Sequence, residues 1–311
     1  MNHETIILQL MRTEGVGART LARLLGVLSS EQLELEDLFS ADSAELFQRC
    51  KLPGDFAARV GTDFEEAERL RQELEGQSIR MLVLGRAGYP SRLIDMLGEA
   101  SPPVLFVHGD VNLLSQPAVA ICGSRRVSQQ GSNTTSDLAA QLAQQGINIV
   151  SGYAPGVDQA AHGSAIEAGG ATTLVLPTGV MRFNMTDILD AAATDDRLLV
   201  ISEFHPLSPW STWNAMQRNS TVVGLSDAVV AVEPAMSGGT FDAARTALKF
   251  GCPLFLALSG EFDNSNDACR YFLRRGAVAL SWEGDNRPSL NQLIESIRRR
   301  RESGGPSGRL L

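Results

Sequence analysis

Residues 123–126 read Gly123-Ser124-Arg125-Arg126 and follow directly on an apolar run, Val119-Ala120-Ile121-Cys122. Such a run is the pattern of a strand buried in a parallel sheet, and the break after it marks a turn into a helix. Gly123 would let a backbone approach a ligand closely. A helix starting near Gln129 would aim its first N–H groups at an anion. Arg125 and Arg126 would add fixed positive charge, so the chemistry suggested is phosphate recognition. One glycine after one strand is also what any α/β turn contains, so the case rests on repetition of the device.

The device does repeat. Ser151-Gly152 ends a second apolar run, and Gly156-Val157-Asp158 opens the helical pattern after it. Asp158 could cap that helix or bond a ligand hydroxyl. Arg218-Asn219 places a cation and an amide before another buried run, residues 228–232. That run ends at Glu233, and Ser237-Gly238-Gly239-Thr240 then precedes a helical segment, a candidate phosphate cradle. Each has a plainer explanation, glycine for a tight turn and serine or threonine for a helix cap. Their gathering at one sheet edge favours a ligand site.

Catalytic signals are weaker. The spacing of His, Cys, Asp and Glu suggests no metal site, and no nucleophile elbow or Ser/His/Asp arrangement is visible. His162 sits among apolar neighbours and reads as structural. Glu233 and Asp242 flank Gly238-Gly239 and form the one plausible acid/base pair, although a Glu there more often orients a loop. No catalytic residue, metal or cofactor is expected.

The elements that would position these loops follow from periodicity. After residue 118, apolar runs at 119–122, 147–150, 172–176, 198–201, 228–232 and 254–258 alternate with helical patterns. That alternation predicts an α/β fold, a doubly wound and mostly parallel sheet whose ligands bind beyond the carboxyl ends of the strands. Two further runs, 80–84 and 102–110, precede it. Residues 1–75 read as a separate helical domain. There Gly15-Val16-Gly17 between apolar helices has the form of a helix-hairpin-helix, a motif that holds DNA phosphate or serves as plain packing. Residues 76–302 form the core domain, and 303–311 are expected to be a disordered tail. The basic run Arg298-Arg299-Arg300-Arg301 complements a helix dipole, with a phosphate contact as the sharper alternative.

The 311 residues are 43% hydrophobic and 20% charged, and mean hydropathy is -0.04. Four scattered cysteines, no signal-peptide layout and no long apolar span point to a cytoplasmic protein with free thiols and no membrane partner. A net charge of -9 argues against an unspecific grip on nucleic acid but permits a local basic groove.

In order and spacing, the chain resembles the DprA/Smf family of DNA-processing proteins. The motifs are Gly88-Tyr89-Pro90, Ala120-Ile121-Cys122-Gly123-Ser124-Arg125, Ser151-Gly152, Gly156-Val157-Asp158, Ala160-Ala161-His162, Ser202-Glu203, Arg218-Asn219, Gly224-Leu225-Ser226-Asp227 and Ser237-Gly238. The resemblance implies an extended Rossmann-like fold with a helical N-terminal domain and binding of single-stranded DNA. It also implies a RecA-like recombinase as partner, and a homodimer. The wider superfamily adds alternatives: a nucleotide-binding sensor, a nucleotide-processing enzyme, or a protein that caps an operon-encoded partner. Pro155 and Ser220 stand where the family carries arginine, so a weakened cationic groove is expected. Trp210 and Trp213 could stack bases.

Overall fold

The computed structural model describes residues 2–40, 43–61, 63–185, 187–258, 266–283 and 287–302. The expected tail, 303–311, lies outside them. The chain begins with helices α1 (His3–Arg12), α2 (Ala18–Glu31), α3 (Ser43–Arg49), α4 (Phe56–Val60) and α5 (Glu65–Gly76). Asn2 caps α1 by accepting from the Glu4 N–H at 2.9 Å. The turn into α2 passes through Gly15 at φ +83°, a conformation that favours glycine. Ile6, Leu10, Leu21, Leu24 and Leu28 meet inside this unit, and their apolar cluster continues into Val104, Phe106 and Leu174 of the sheet.

The core then alternates β1 (Arg80–Val83), α6 (Ser91–Leu97), β2 (Val104–Gly109), β3 (Ala118–Gly123), α7 (Gln129–Gln144), β4 (Asn148–Ser151), α8 (Val157–Glu167) and β5 (Thr172–Val175). It continues with α9 (Asp187–Thr194), β6 (Leu198–Ser202), α10 (Thr212–Gly224), β7 (Ala228–Val232), α11 (Gly239–Lys249) and β8 (Leu254–Ala257). The chain closes with α12 (Asp267–Leu273), the short strands β9 (Val278–Ala279), β10 (Trp282–Glu283) and β11 (Arg287–Pro288), and α13 (Asn291–Glu302). The nine-stranded sheet has the order β1-β2-β6-β5-β4-β3-β7-β8-β9. From β6 to β9 every neighbour is parallel, while β2 pairs antiparallel with both β1 and β6. The expected mostly parallel, doubly wound α/β sheet is therefore present.

Alternation along the strands separates two faces. Val119 and Ile121 point to one side with Leu138, Val157, Leu293 and Ile297. Ala118 and Ala120 point to the other with Val222, Ala244 and Phe272. Strand order reverses between β3 and β7, whose register pairs Gly123 with Val232. A crevice at the carboxyl ends of these two strands is where this topology places a ligand.

The C-terminal arginines sit at the opposite edge of the sheet. Arg301 donates to the Ser115 carbonyl at 2.8 Å and lies 3.4 Å from Asp227. Arg300 donates to the Gly251 carbonyl at 3.0 Å. These residues precede β3, β7 and β8, so this run pins α13 to the amino ends of the strands, away from the crevice. The alternative phosphate contact does not share an edge with the other loops.

Candidate phosphate and nucleotide interface

The loops predicted to converge do so. A cavity of about 440 Å³ is lined by Gly123, Ser124, Arg125, Asp158, Arg218, Asn219, Glu233, Ser237, Gly238, Gly239 and Thr240. A second, of about 350 Å³, takes in Gly152 and shares Arg125, Trp210 and Arg218 with the first. Three predicted residues are near but not on the walls. Ser151 is buried and donates its hydroxyl to the Ile121 carbonyl at 2.6 Å. Gly156, at φ +87°, is pressed so closely on the Ser124 carbonyl that a Cβ would lie 2.4 Å from its oxygen. Arg126 is exposed and lines neither cavity, while its N–H donates to Ser124 Oγ at 3.1 Å.

The helix after the first loop does start at Gln129, but its N-terminus is already occupied. Ser128 caps it by accepting from the Gly131 N–H at 3.0 Å. The Glu233 carboxylate accepts from the Ser128 N–H at 3.0 Å and also from its hydroxyl. Glu233 is held at φ +49°, and a Cβ on Gly131 would fall 2.2 Å from its Oε1. An internal carboxylate thus takes the place expected for a ligand anion. Glu233 thereby ties the loop after β7 to the start of α7. Its supposed partner Asp242 is engaged too, accepting from Asn219 at 3.1 Å and Arg245 at 2.8 Å.

The N-terminus of α11, by contrast, carries no side-chain cap. Gly238, at φ +91°, precedes it, and Gly238, Gly239 and Thr240 open on the larger cavity. Unfilled N–H groups and the dipole of an 11-residue helix favour an anion there.

Behind it lies Arg218. The sequence suggested a loop, but Arg218 and Asn219 belong to α10, whose N-cap Ser211 accepts from the Asn214 N–H at 3.0 Å. Arg218 is only 8% exposed, lies 3.8 Å from Asp158 Oδ2, and its Nε has no hydrogen-bond partner. Gly152 is the seat of its guanidinium, since a Cβ there would come within 1.8 Å of all three terminal atoms. Asp158 caps nothing; it accepts from the Ala154 N–H at 3.1 Å, and burial raises its pKa against the pull of Arg218. Glu203 is buried beside the same cation, raised by burial and accepting from Thr221 and from Gln217. Burial lowers the pKa of Arg218 itself, against the pull of Asp158.

Two other groups are chemically quiet. Burial pushes the Cys122 thiol up to about 12, so it is no nucleophile. His162 Nδ1 lies 2.6 Å from Thr172 Oγ1. That hydroxyl donates to the Ile149 carbonyl at 2.8 Å and so accepts from Nδ1–H, leaving Nε2 bare and buried. Burial lowers the imidazole pKa to about 3. A folded pKa below the unfolded value, about 6.5, means that stability is lost as pH falls below that value. Asp158 and Glu203 act with opposite sign. The contribution of His162 is therefore expected as a difference: between pH 7 and pH 5 wild type should lose about 2 kcal/mol relative to His162→Gln. Urea unfolding of both proteins at the two pH values measures it, and parallel losses would rule it out.

Sequence reasoning missed the wall formed by Thr178, Arg182, Phe183 and Asn184. No motif announces it, and it reaches the site only because β5, which it follows, lies beside β4. Among the described residues no group of three or more His, Cys, Asp and Glu could hold a metal ion. Nor is any described helix long and apolar enough to cross a membrane.

Comparison with known proteins bears on the fold and the family. The chain is similar to DNA processing protein DprA of Streptococcus pneumoniae, 31% identical over 58% of this chain and 64% of that one. It is also 31% identical to protein Smf of Escherichia coli, over 62% of this chain and 52% of that one. The chain thus spans about half to two thirds of these relatives. The solved DprA of S. pneumoniae has the same fold, with a TM-score of 0.69 at 23% identity, covering 89% of this chain and 94% of that one. The DprA of Helicobacter pylori, studied for its single-stranded DNA binding mode, gives a TM-score of 0.58 at 26% identity over 71% of this chain and 96% of that one. Residues 80–287 match the model of DNA recombination-mediator protein A, and the chain belongs to that family.

Proposed function

We propose that this chain binds single-stranded DNA through the crevice between β3 and β7, without catalysis, and acts in DNA recombination, in transformation or the handling of foreign DNA. One observation carries the reading: an uncapped α11 N-terminus, exposed Arg125 and the buried guanidinium of Arg218, whose Nε has no hydrogen-bond partner, face one cavity. That is a seat for phosphate. The resemblance to the DprA/Smf family makes a RecA-like recombinase the expected recipient of the strand and a homodimer the expected working form.

The charge of -9 does not oppose this. Residues 1–75 hold 15 Asp and Glu against 8 Lys and Arg, so most of the negative charge lies in the N-terminal helices. The core is close to neutral, and the DNA-facing part of the molecule is the sheet edge rather than the helical hairpin.

A second reading, a nucleotide sensor, draws on the cavity volumes of about 350 and 440 Å³, which suit a small molecule. Displacement of a labelled single-stranded homopolymer separates them. An unlabelled strand is expected to displace it at far lower nucleotide concentration than a mononucleotide does. Equal potency would favour the sensor.

A further inference from the structure

Helices α11 and α12 carry a second group of cations, which lines neither cavity. Residues 239–250 and 266–280 hold Arg245, Lys249, Arg270, Arg274 and Arg275 against two carboxylates, Asp242 and Asp267. All five cations are exposed. Asp242 pairs with Arg245 at 2.8 Å, and Asp267 pairs with Arg270. Among the described residues, no carboxylate forms an ion pair with Lys249, Arg274 or Arg275. Arg245 and Lys249 are four residues apart on α11, and Arg270 and Arg274 are four apart along α12, so each pair shares a helix face. Aromatic packing sets the two helices side by side. Phe241, in the first turn of α11, meets Tyr271 and Phe272 of α12 with ring centroids 5.2 and 5.0 Å away. Tyr271 lies within electrostatic reach of Arg245, so the cations of α12 border those of α11. Two cations are held in place beforehand. The Arg275 guanidinium lies 3.6 Å over the Tyr271 ring and donates to the Tyr271 carbonyl at 3.1 Å. Lys249 Nζ lies 4.8 Å over the Phe250 ring. Neither arrangement cancels the charge, and a side chain already held loses less freedom on meeting an anion.

We propose that the outer face of α11 and α12 is a track for the phosphodiester backbone of a strand leaving the crevice, contacted by Lys249, Arg274 and Arg275. The proposal rests on the single-strand reading and adds a second, separate contact surface. Continuity carries it. The N-terminus of α11 opens on the larger cavity, and the same helix runs from there to Lys249. Its 11 residues span ~16 Å at the helical rise, so a strand anchored in the crevice meets further cations by following one helix. Exposed arginine and lysine neutralise phosphate without reading sequence. The carboxylates paired with Arg245 and Arg270 are three residues away on the same exposed helices, and such pairs are weak enough for phosphate to displace. Exposed cations also suit an acidic protein surface. Continuity with the phosphate seat favours nucleic acid, and the test separates the two.

The test is the salt slope of binding as a function of strand length. A longer strand offers more registers and so gains affinity on that ground alone, but its slope steepens only if more phosphates are neutralised. The full chain is titrated with labelled oligothymidylates of about 5 and about 16 nucleotides, which span the range of single-strand site sizes. For wild type the slope on the long strand is expected to be steeper by about 2, the sum of three contacts of about 0.7 each. The variant carrying Lys249→Gln, Arg274→Gln and Arg275→Gln should lose that excess and bind the short strand as wild type does. Its denaturant midpoint should match wild type, because all three side chains are exposed. Arg125→Ala should lower the slope equally at both lengths. A wild-type slope independent of length, or a triple variant that keeps the excess, would overturn the track, while Arg125→Ala still reports on the crevice. No binding of either strand by wild type would overturn both readings. A length-independent slope, with polyglutamate retained at low salt by wild type and not by the triple variant, would assign the face to an acidic protein surface and overturn the track.

Discussion

Arg218→Ala is expected to lower stability by about 3 kcal/mol at pH 7, the range for breaking a buried ion pair from one side. Arg218 is 8% exposed and Asp158 6%, and the two lie 3.8 Å apart. Without the guanidinium, the Asp158 carboxylate is buried with the Ala154 N–H still donating to it. Its pKa, already raised by burial, then rises further. A raised carboxyl binds more protons when folded, so the variant should regain part of its loss as pH falls from 7 to 5. Urea unfolding at the two pH values reads both effects. A loss below about 1 kcal/mol, unchanged with pH, would show that the pair does not hold this edge together. Removing Arg218 is for the same reason a poor test of binding: it damages the seat as well as the charge.

Gly123→Ala is expected to destabilise by about 3 kcal/mol and to abolish ligand binding. A Cβ at this position would lie 2.4 Å from Val157 Cγ2 and 2.7 Å from the Val232 carbonyl oxygen. The valine side chain could shift, but Val232 is the register partner of Gly123 between the two central strands. Relief would spread β3 from β7 at the mouth of the crevice. Denaturant midpoints for wild type and variant decide the matter, and an unchanged midpoint would mean that the strands yield freely.

Much of this site was legible in sequence because it depends on local pattern. Apolar runs of four or five residues, most of them followed by Gly, Ser or Glu, marked the strands, and the parallel fold then placed their ends together. What was not legible is long-range. Ser128 and Glu233 are 105 residues apart, and nothing near Gln129 reveals that its helix end is filled from within. Arg218 read as part of a loop because residues 211–220 are largely polar, yet Ser211 caps a helix there. Strands β9, β10 and β11, of two residues each, are too short for any periodicity to show. Arg300 and Arg301 gain their role from carbonyls brought near only by the finished sheet.

The central claim is that exposed Arg125 meets DNA phosphate at this crevice. Fluorescence anisotropy of a labelled single-stranded homopolymer across a salt series tests it most directly. Wild type should bind with an affinity that falls linearly as log salt rises. Arg125→Ala should bind more weakly at low salt, with a slope smaller by about 0.7, the value for one lost phosphate contact on a single strand. Identical affinities and slopes for the two proteins would contradict the account, because the strand would then not cross this edge of the sheet.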